Sequence, residues 1–252
     1  MLVGLKDFPI VEAGDDLAKM IHEAAVKNNV TINQGDVVAI AQKIVSKAEG
    51  RIVRLNDVQP SPRSEKMAKA IQKDPRLVEL VLRETKRIVK IAPKTLIVEN
   101  KNGLICLNAG IDKSNVLGED SYALLPEDPD RSAERIRAGI LKLTGKHVAV
   151  IICDTYSRPF RRAQVEFAIG TAGINLFKDY RGQQDLFGYI LQVKNVAIVD
   201  EIAAAAELIM GQGNEAIPVV IVKNLARVDG GRSALIADLW ISREEDLFKN
   251  AH

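Results

Sequence analysis

Two apolar runs of this sequence end in a carboxylate. "GLICLNAGID" carries the chain to Asp112, and "HVAVIICD" carries it to Asp154, which Thr155 follows at once. Side chains at strand ends are rigidly held and can face a cleft, and hard oxygen donors of this kind suit a divalent cation such as magnesium or manganese. Thr155 adds a hydroxyl oxygen, and Asn115, three residues past Asp112, is near enough for a second polar contact. Beyond Asp154 the segment "TYSRPFRR" brings Arg158, Arg161 and Arg162, whose guanidinium forks bind phosphate or carboxylate in bidentate fashion. Taken singly, an aspartate here also fits an ordinary turn or cap, and an arginine fits a solvated face. Together they point to a site for a cation and an anion.

A second basic pair follows another buried run. In "VVAIAQKIVSKAEG" the apolar stretch Val37 to Ala41 leads directly to Lys43 and Lys47. Spaced four residues apart, both ammonium groups share a face if the chain turns helical there. Surface lysines and a phosphate contact are both compatible with that spacing.

Two familiar nucleotide motifs are approached and missed. "GILKLTGKH" resembles a P-loop, but Gly139 and Gly145 are one residue too far apart, and His147 stands where Ser or Thr would hold magnesium. Gly145 reads more simply as a helix C-cap. "GQGNEA", Gly211 to Ala216, mimics a dinucleotide fingerprint with its context inverted, since a helix precedes it and a strand follows. A Gly-Gln-Gly turn can still offer backbone amides and a glutamine side chain to a ligand.

The elements that must position these groups are legible in outline. "GDDLAKMIHEAAVKNN" is a capped helix with Leu17, Met20, Ile21 and Ala24 on one face. "SPRSEKMAKAIQ" and "DPRLVELVLRETKR" are helices, the second capped by Asp74 with Pro75 in its first turn. "TLIVEN" and "LICLNAGID" form a hairpin around Asn102-Gly103. "EDPDRSAERIRAGILKLTG" is a helix feeding the strand "HVAVIICD". "KDYRGQQDLFGYILQVKN" is loop with short strands, "DEIAAAAELIMG" a helix, "IPVVIV" a strand, and "SREEDLFKNAH" a helical or frayed tail. Helices and strands mix without strict βαβ alternation, so the class is α+β, in one domain over 1–252 with no linker that marks a cut.

Composition narrows the function. The 252 residues are 47% hydrophobic and 27% charged with a net charge of +2, which gives no electrostatic case for nucleic acid or membrane as the main partner. The N-terminus lacks a signal-peptide pattern, no apolar stretch reaches the ~20 residues of a membrane span, and a cytoplasmic protein is expected. Cys106 and Cys153 sit in apolar runs and read as buried reduced thiols, while His22, His147 and His252 are too scattered for a His-rich metal site.

At "GDDLA", "QKIVSKAEGR", "NAGIDKSNV", "CDTYSRPFRRAQVEFAIGTAG" and "DEIAAAAELIMGQGNEAIPVVIV" the chain resembles the coenzyme F-420-0:gamma-glutamyl ligases of deazaflavin cofactor biosynthesis. The likeness runs from end to end, and the central block is its most specific part. It implies a fold of mixed sheets and helices in two intertwined α+β parts, without P-loop or Rossmann motif, and a homodimer. It implies a GTP-dependent ligase that joins L-glutamate, successively and through gamma linkages, to the lactyl carboxylate of a deazaflavin phosphodiester by way of an acyl phosphate. Magnesium or manganese, two per subunit, would be held by Asp112, Asp154, Thr155 and Gln212, with potassium as a further ion. GTP would be held by Phe8, Pro9, Ile10, Val11, Gln42, Lys43, Lys47, Asn115, Met210, Gly211, Gln212, Gly213, Asn214, Glu215, Ala216 and Ile217. Asp112, Asp154 and Lys43 would carry the chemistry, and Arg158 and Arg161 would meet the anionic acceptor. A metal-dependent phosphohydrolase or phosphotransferase, and a non-catalytic nucleotide-binding protein, are the competing readings.

Overall fold

The computed structural model describes residues 1–225, 234–242 and 244–247. Its elements in chain order are β1 (Leu2–Gly4), α1 (Leu17–Lys27), β2 (Val37–Ala41), α2 (Gln42–Ala48), β3 (Ile52–Arg54), α3 (Pro62–Ile71), α4 (Pro75–Arg83), β4 (Thr85–Ala92), β5 (Thr95–Asn100) and β6 (Ile105–Leu107). After these come β7 (Ser121–Ala123), α5 (Pro129–Thr144), β8 (Ala149–Ser157), β9 (Gln164–Ala172), β10 (Phe177–Asp179), β11 (Asn195–Ala197), α6 (Ile198–Met210) and β12 (Val219–Val222). The fold is α+β, with a mixed central sheet and three smaller ones.

The chain divides into two compact units. One comprises Met1–Pro9, Leu17–Ala41 and the chain from Pro129 onward; the other comprises Ile10–Asp16 and Gln42–Asp128. The first unit is built on the sheet β1-β12-β2-β8-β9, in which β2 and β8 run parallel and every other pair is antiparallel. Its central strands are continuous apolar runs because both faces are covered. Val37, Ala39, Ile151, Cys153, Val220 and Val222 share one buried cluster with Val199, Ala203, Ala206 and Met210 of α6. Residues between them point the other way, toward the side where α5 covers β8 and β9 and α1 packs on α5.

Gly139 lies inside α5, where an added Cβ would collide with Ala18 of α1. Gly145 closes that helix with φ 68°, and its N–H donates to Leu141 O at 2.8 Å. Both glycines of the near-P-loop are therefore structural. The loop 211–218 does follow a helix and precede a strand, which keeps the dinucleotide reading excluded.

In the second unit, Ala68 and Ile71 of α3 and Val78 and Val81 of α4 bury against Leu96 and Val98 of β5. Ser61 caps α3 by accepting from Ser64 N, and Asp74 caps α4 by accepting from Arg76 N. The β5–β6 hairpin closes where Asn100 Oδ1 accepts from the N–H groups of Asn102 and Leu104, with Gly103 at φ 82°.

Three expectations are corrected. The helix starting at Pro75 stops at Arg83, not Arg87, because "TKRIVKIA" is β-branched at intervals and pairs as β4 along β5. The strand leading toward Asp112 ends at Leu107, and a 3-10 turn over Asn108–Gly110 follows. The strand carrying Asp154 continues to Ser157 and folds back as β9, so Asp154 lies within a strand and not at its end. Of the expected helical tail, residues 244–245 form a turn, while 243 and 248–252, His252 among them, lie outside the described residues. Among the described residues no helix is long and apolar enough to cross a membrane.

Candidate active site

In the second unit α2 does turn helical directly after β2, and it carries Gln42, Lys43 and Lys47. Lys43 Nζ donates to Asp112 Oδ2 at 2.5 Å and to Ser114 Oγ at 2.6 Å. Asp112 is pinned from its own backbone, since its N–H and C=O both bond to Ala123 of β7. Its side chain accepts again from Ser114, at Oδ1 from the N–H and at Oδ2 from the hydroxyl. Burial pushes the Asp112 carboxyl upward, but the bonds from Lys43 and Ser114 outweigh it and hold the group below its ordinary value. It is therefore an anion at neutral pH. A carboxylate offers about four lone-pair positions, so one remains for a cation beside these three bonds.

Lys47 is half-buried one helical turn beyond Lys43. Burial first, and then the neighbouring Lys43 charge, lower its pKa. Two cations on one face repel, and an anion placed on that face relieves both causes. Gln42 is 2 % exposed. Its Oε1 accepts from Ser46 Oγ, while its Nε2 has no acceptor among the described residues. An unmet buried donor costs about 1–3 kcal/mol, which an acceptor on a ligand would recover. Asn115 follows Ser114 in left-handed conformation, φ 54°.

In the first unit Asp154 and Thr155 are neighbours on one strand, so their side chains point to opposite faces. Asp154 faces Phe167 across the β8–β9 ladder, beside the Tyr156–Phe167 stack, whose ring centroids are 6.2 Å apart. Thr155 faces Glu166, on the side covered by α6. Glu166 is buried, 3 % exposed, and its Oε2 accepts from Gln212 Nε2 at 3.4 Å. Gln212 thereby joins Thr155 and Glu166, with Asp154 apart from them.

The loop after α6 is shaped by its own residues. Met210 is the buried last residue of the helix, and Gly211 turns the chain at φ 67°, its N–H donating to Glu207 O. The Glu215 side chain folds back so that Oε2 accepts from Gly213 N at 2.8 Å, and it occupies the place a Cβ at Gly211 would need. A carboxylate already satisfies a loop amide here, which is the donor geometry an anion needs. Asn214 is exposed, Ala216 adopts φ 54°, and Ile217 packs against Gly4 of β1.

The remaining expected residues are spread over both units. Phe8 is buried and Pro9 exposed in the first, Val11 is buried and Ile10 exposed in the second. Arg158 is half-buried in the β8–β9 connection, its Nη1 donating to Ala163 O at 3.4 Å, and Arg161 is exposed.

These donors fit a hard cation. They are carboxylate, hydroxyl and amide oxygens, the set that suits magnesium or manganese over softer metals. Cys153, on the Thr155 side of the sheet, does not compete: burial first, and the nearby Glu166 charge second, push its thiol well above the ordinary range. Among the described residues no three or more His, Cys, Asp or Glu side chains gather where a metal could sit. The protein thus supplies single carboxylates with neutral oxygens around them. Ser114 and Glu166 were not singled out from sequence. A charged residue inside the apolar "VEFAIGTA" is a signal for Glu166, while Ser114 has none beyond its place after Asp112.

Residues 6–224 match the profile of the F420-0:gamma-glutamyl ligases. The chain belongs to that family. A coenzyme F420:L-glutamate ligase of Methanothermobacter thermautotrophicus is 42 % identical over 253 residues, covering 98 % of each chain. One of Methanopyrus kandleri is 45 % identical over 229 residues, covering 89 % of this chain and 88 % of its own. One of Archaeoglobus fulgidus is 44 % identical over 245 residues, covering 97 % and 94 %. The family likeness read from the short motifs therefore holds over the full span that the relatives share.

Proposed function

We propose that this protein is a GTP-dependent ligase that adds L-glutamate to the lactyl carboxylate of coenzyme F420-0, and then adds further glutamate through gamma linkages. The observation that carries this reading is the Lys43–Asp112–Ser114 cluster beside Lys47, a phosphate-binding and cation-binding chemistry within a ligase family.

A carboxylate is a poor electrophile, so the acceptor must be activated before an amine can attack it. In the proposed sequence a carboxylate oxygen bonds to the γ-phosphorus of GTP as the bond to the β-phosphate oxygen breaks, releasing GDP and leaving an acyl phosphate. The glutamate amine then bonds to the acyl carbon, inorganic phosphate departs, and the amine gives up a proton to solvent. Bound magnesium or manganese supplies charge neutralisation on the phosphates.

The chain's own groups do the rest. Lys43 and Lys47 attract the triphosphate. The Gln42 amide and the 210–217 loop position the nucleotide, with Phe8 to Val11 and Asn115 assisting. Asp112 and Asp154 are carboxylate donors to cation, and Thr155 and Gln212, gathered on the opposite face of β8 from Asp154, give neutral oxygens to a separate one. Arg158 and Arg161 receive the anionic acceptor. A homodimer belongs to the same reading, and Leu186 and Phe187, 97 and 95 % exposed, give it apolar surface to cover.

The test is GDP release and product mass with GTP, manganese, L-glutamate and coenzyme F420-0, omitting each in turn. Release that needs both glutamate and acceptor, with mass gains of whole glutamyl units, is expected. Equal release without glutamate would make the protein a phosphohydrolase, and binding without turnover would make it a non-catalytic nucleotide binder.

A further inference from the structure

Glu166 is the one charged residue of strand β9, 3 % exposed, and none of the expected roles uses it. Two observations place it. Its cross-strand partner is Thr155, so the two side chains stand on one face of the β8–β9 pair, at the roughly 5 Å separation of directly opposed residues. Its Oε2 also faces the amide nitrogen of Gln212, in the loop that follows α6, 46 residues away in the chain.

We propose that Glu166 is a positioning residue that holds the Gln212 amide with its nitrogen inward and its carbonyl oxygen presented, beside the Thr155 hydroxyl, to a divalent cation. The inference rests on reading Gln212 as a donor to that cation. The two ends of an amide are nearly equal in size, and only the oxygen can coordinate a hard cation. A carboxylate accepts hydrogen bonds and cannot donate them, so it pairs with the NH2 end alone. Gln212 is exposed and follows a glycine, and such a side chain would otherwise sample both orientations and several rotamers. Glu166 is the reverse: β9 fixes its backbone and burial restricts its side chain. The 3.4 Å separation is long for such a bond, and the pair has room to close when a cation draws the amide oxygen. Groups that orient a metal's ligands commonly matter about 10–100-fold to affinity.

The experiment is Mn2+ titration of the full chain, followed by loss of the free Mn2+ signal in electron paramagnetic resonance. Glu166→Met, which keeps the volume and removes the acceptor, is expected to weaken binding by about tenfold or more. Gln212→Ala should weaken it to a similar extent, and the two together should be no worse than Gln212→Ala alone, as for residues acting as one unit. Glu166→Gln keeps an oxygen toward Gln212 and should stay within about threefold of the parent, well short of the loss expected when the orienting group is gone. Full affinity in Glu166→Met would overturn the proposal. So would additive losses, or Glu166→Gln binding as weakly as Glu166→Met, which would mean that the charge acts on the cation directly.

A charge exchange tests the same point without cutting into the core. Gln212→Glu adds a negative ligand, so on donor charge alone it should tighten Mn2+. Under the proposal it weakens binding, because two carboxylates then face each other, and Glu166→Gln with Gln212→Glu restores it by rebuilding a donor–acceptor pair. Tighter binding in Gln212→Glu overturns the proposal. If Gln212→Ala itself leaves Mn2+ affinity intact, the cation role of Gln212 has failed, and the proposal with it. Loss in Gln212→Ala with none in Glu166→Met fails the positioning role alone.

Discussion

Lys43 and Asp112, 69 residues apart in sequence, meet through a 2.5 Å bond between Nζ and Oδ2. The side chains are 18 and 43 % exposed, and solvent screens much of their attraction, so the pair matters little to stability. Its value is in holding one positive and one negative group ready together, with Ser114 bonded to both.

Lys43→Met is therefore expected to cost no more than about 1 kcal/mol of stability, while kcat/KM for GTP falls by about 100-fold or more, the scale of losing one charge-stabilising donor. Lys43→Arg should not restore it, because a planar fork cannot replace a compact ammonium that reaches Asp112 and Ser114 at once. Thermal melts alongside GDP-release kinetics check both statements. A large melting shift with normal turnover would reduce the cluster to a structural role.

Gly139→Ala separates packing from phosphate binding. Alanine gains about 1 kcal/mol in helix propensity, but its methyl collides with Ala18 across the α1–α5 contact, and overpacking costs typically about 1–3 kcal/mol. The expected result is a melting temperature lowered by a few degrees, with the KM for GTP unchanged. Raised KM with unaltered stability would revive a phosphate-binding role for that segment.

Cys153 should be chemically silent. Burial raises its thiol pKa, so thiolate is scarce at pH 8, and Cys106 is buried as well. Neither thiol should react with an aromatic disulfide reagent in the folded chain, and both should react in denaturant. Fast labelling of Cys153 in the native protein would contradict its placement between β8 and α6.

On the β10–β11 ribbon, hydrogen bonds from the Arg181 side chain and backbone N–H pull the Asp179 carboxyl down to about 2. A carboxyl depressed in the folded state contributes stability above its unfolded value near 3.8, and that contribution is lost as pH falls toward 2. A carboxyl-carbon NMR titration should place the Asp179 midpoint near 2, and Arg181→Ala should move it up toward the ordinary value. The side chain is exposed and solvent screens the pair, so the melting temperature should barely respond. An ordinary midpoint in the parent protein would show the Arg181 bonds to be transient in solution.

Much of the fold was legible from local pattern. The buried strands Val37–Ala41 and Val219–Val222 show as apolar runs bounded by polar residues, and α4 shows its cap and its Pro75. Where reading failed, the cause was specific. β4 alternates weakly and carries Lys86, Arg87 and Lys90 on its exposed surface, so its charge disguised it as a helix tail. Asp154 looked like a strand end because apolar character stops there, yet the strand persists, since β9 supplies hydrogen-bonding partners as far as Ser157. Apolarity records burial, and pairing can outlast it.

Burial, spacing and turn chemistry, written in neighbouring residues, were enough to show the buried strand that leads to Asp154, the lysine pair that follows Val37–Ala41 and the glycine turn before the last buried strand. Tertiary structure alone decided that Lys43 meets Asp112 and Ser114, that Asp154 and Thr155 serve opposite faces, and that Glu166 lies between Thr155 and Gln212. Those relations come from strand register and chain closure across tens of residues, which leave no periodic trace in the sequence around any one of them.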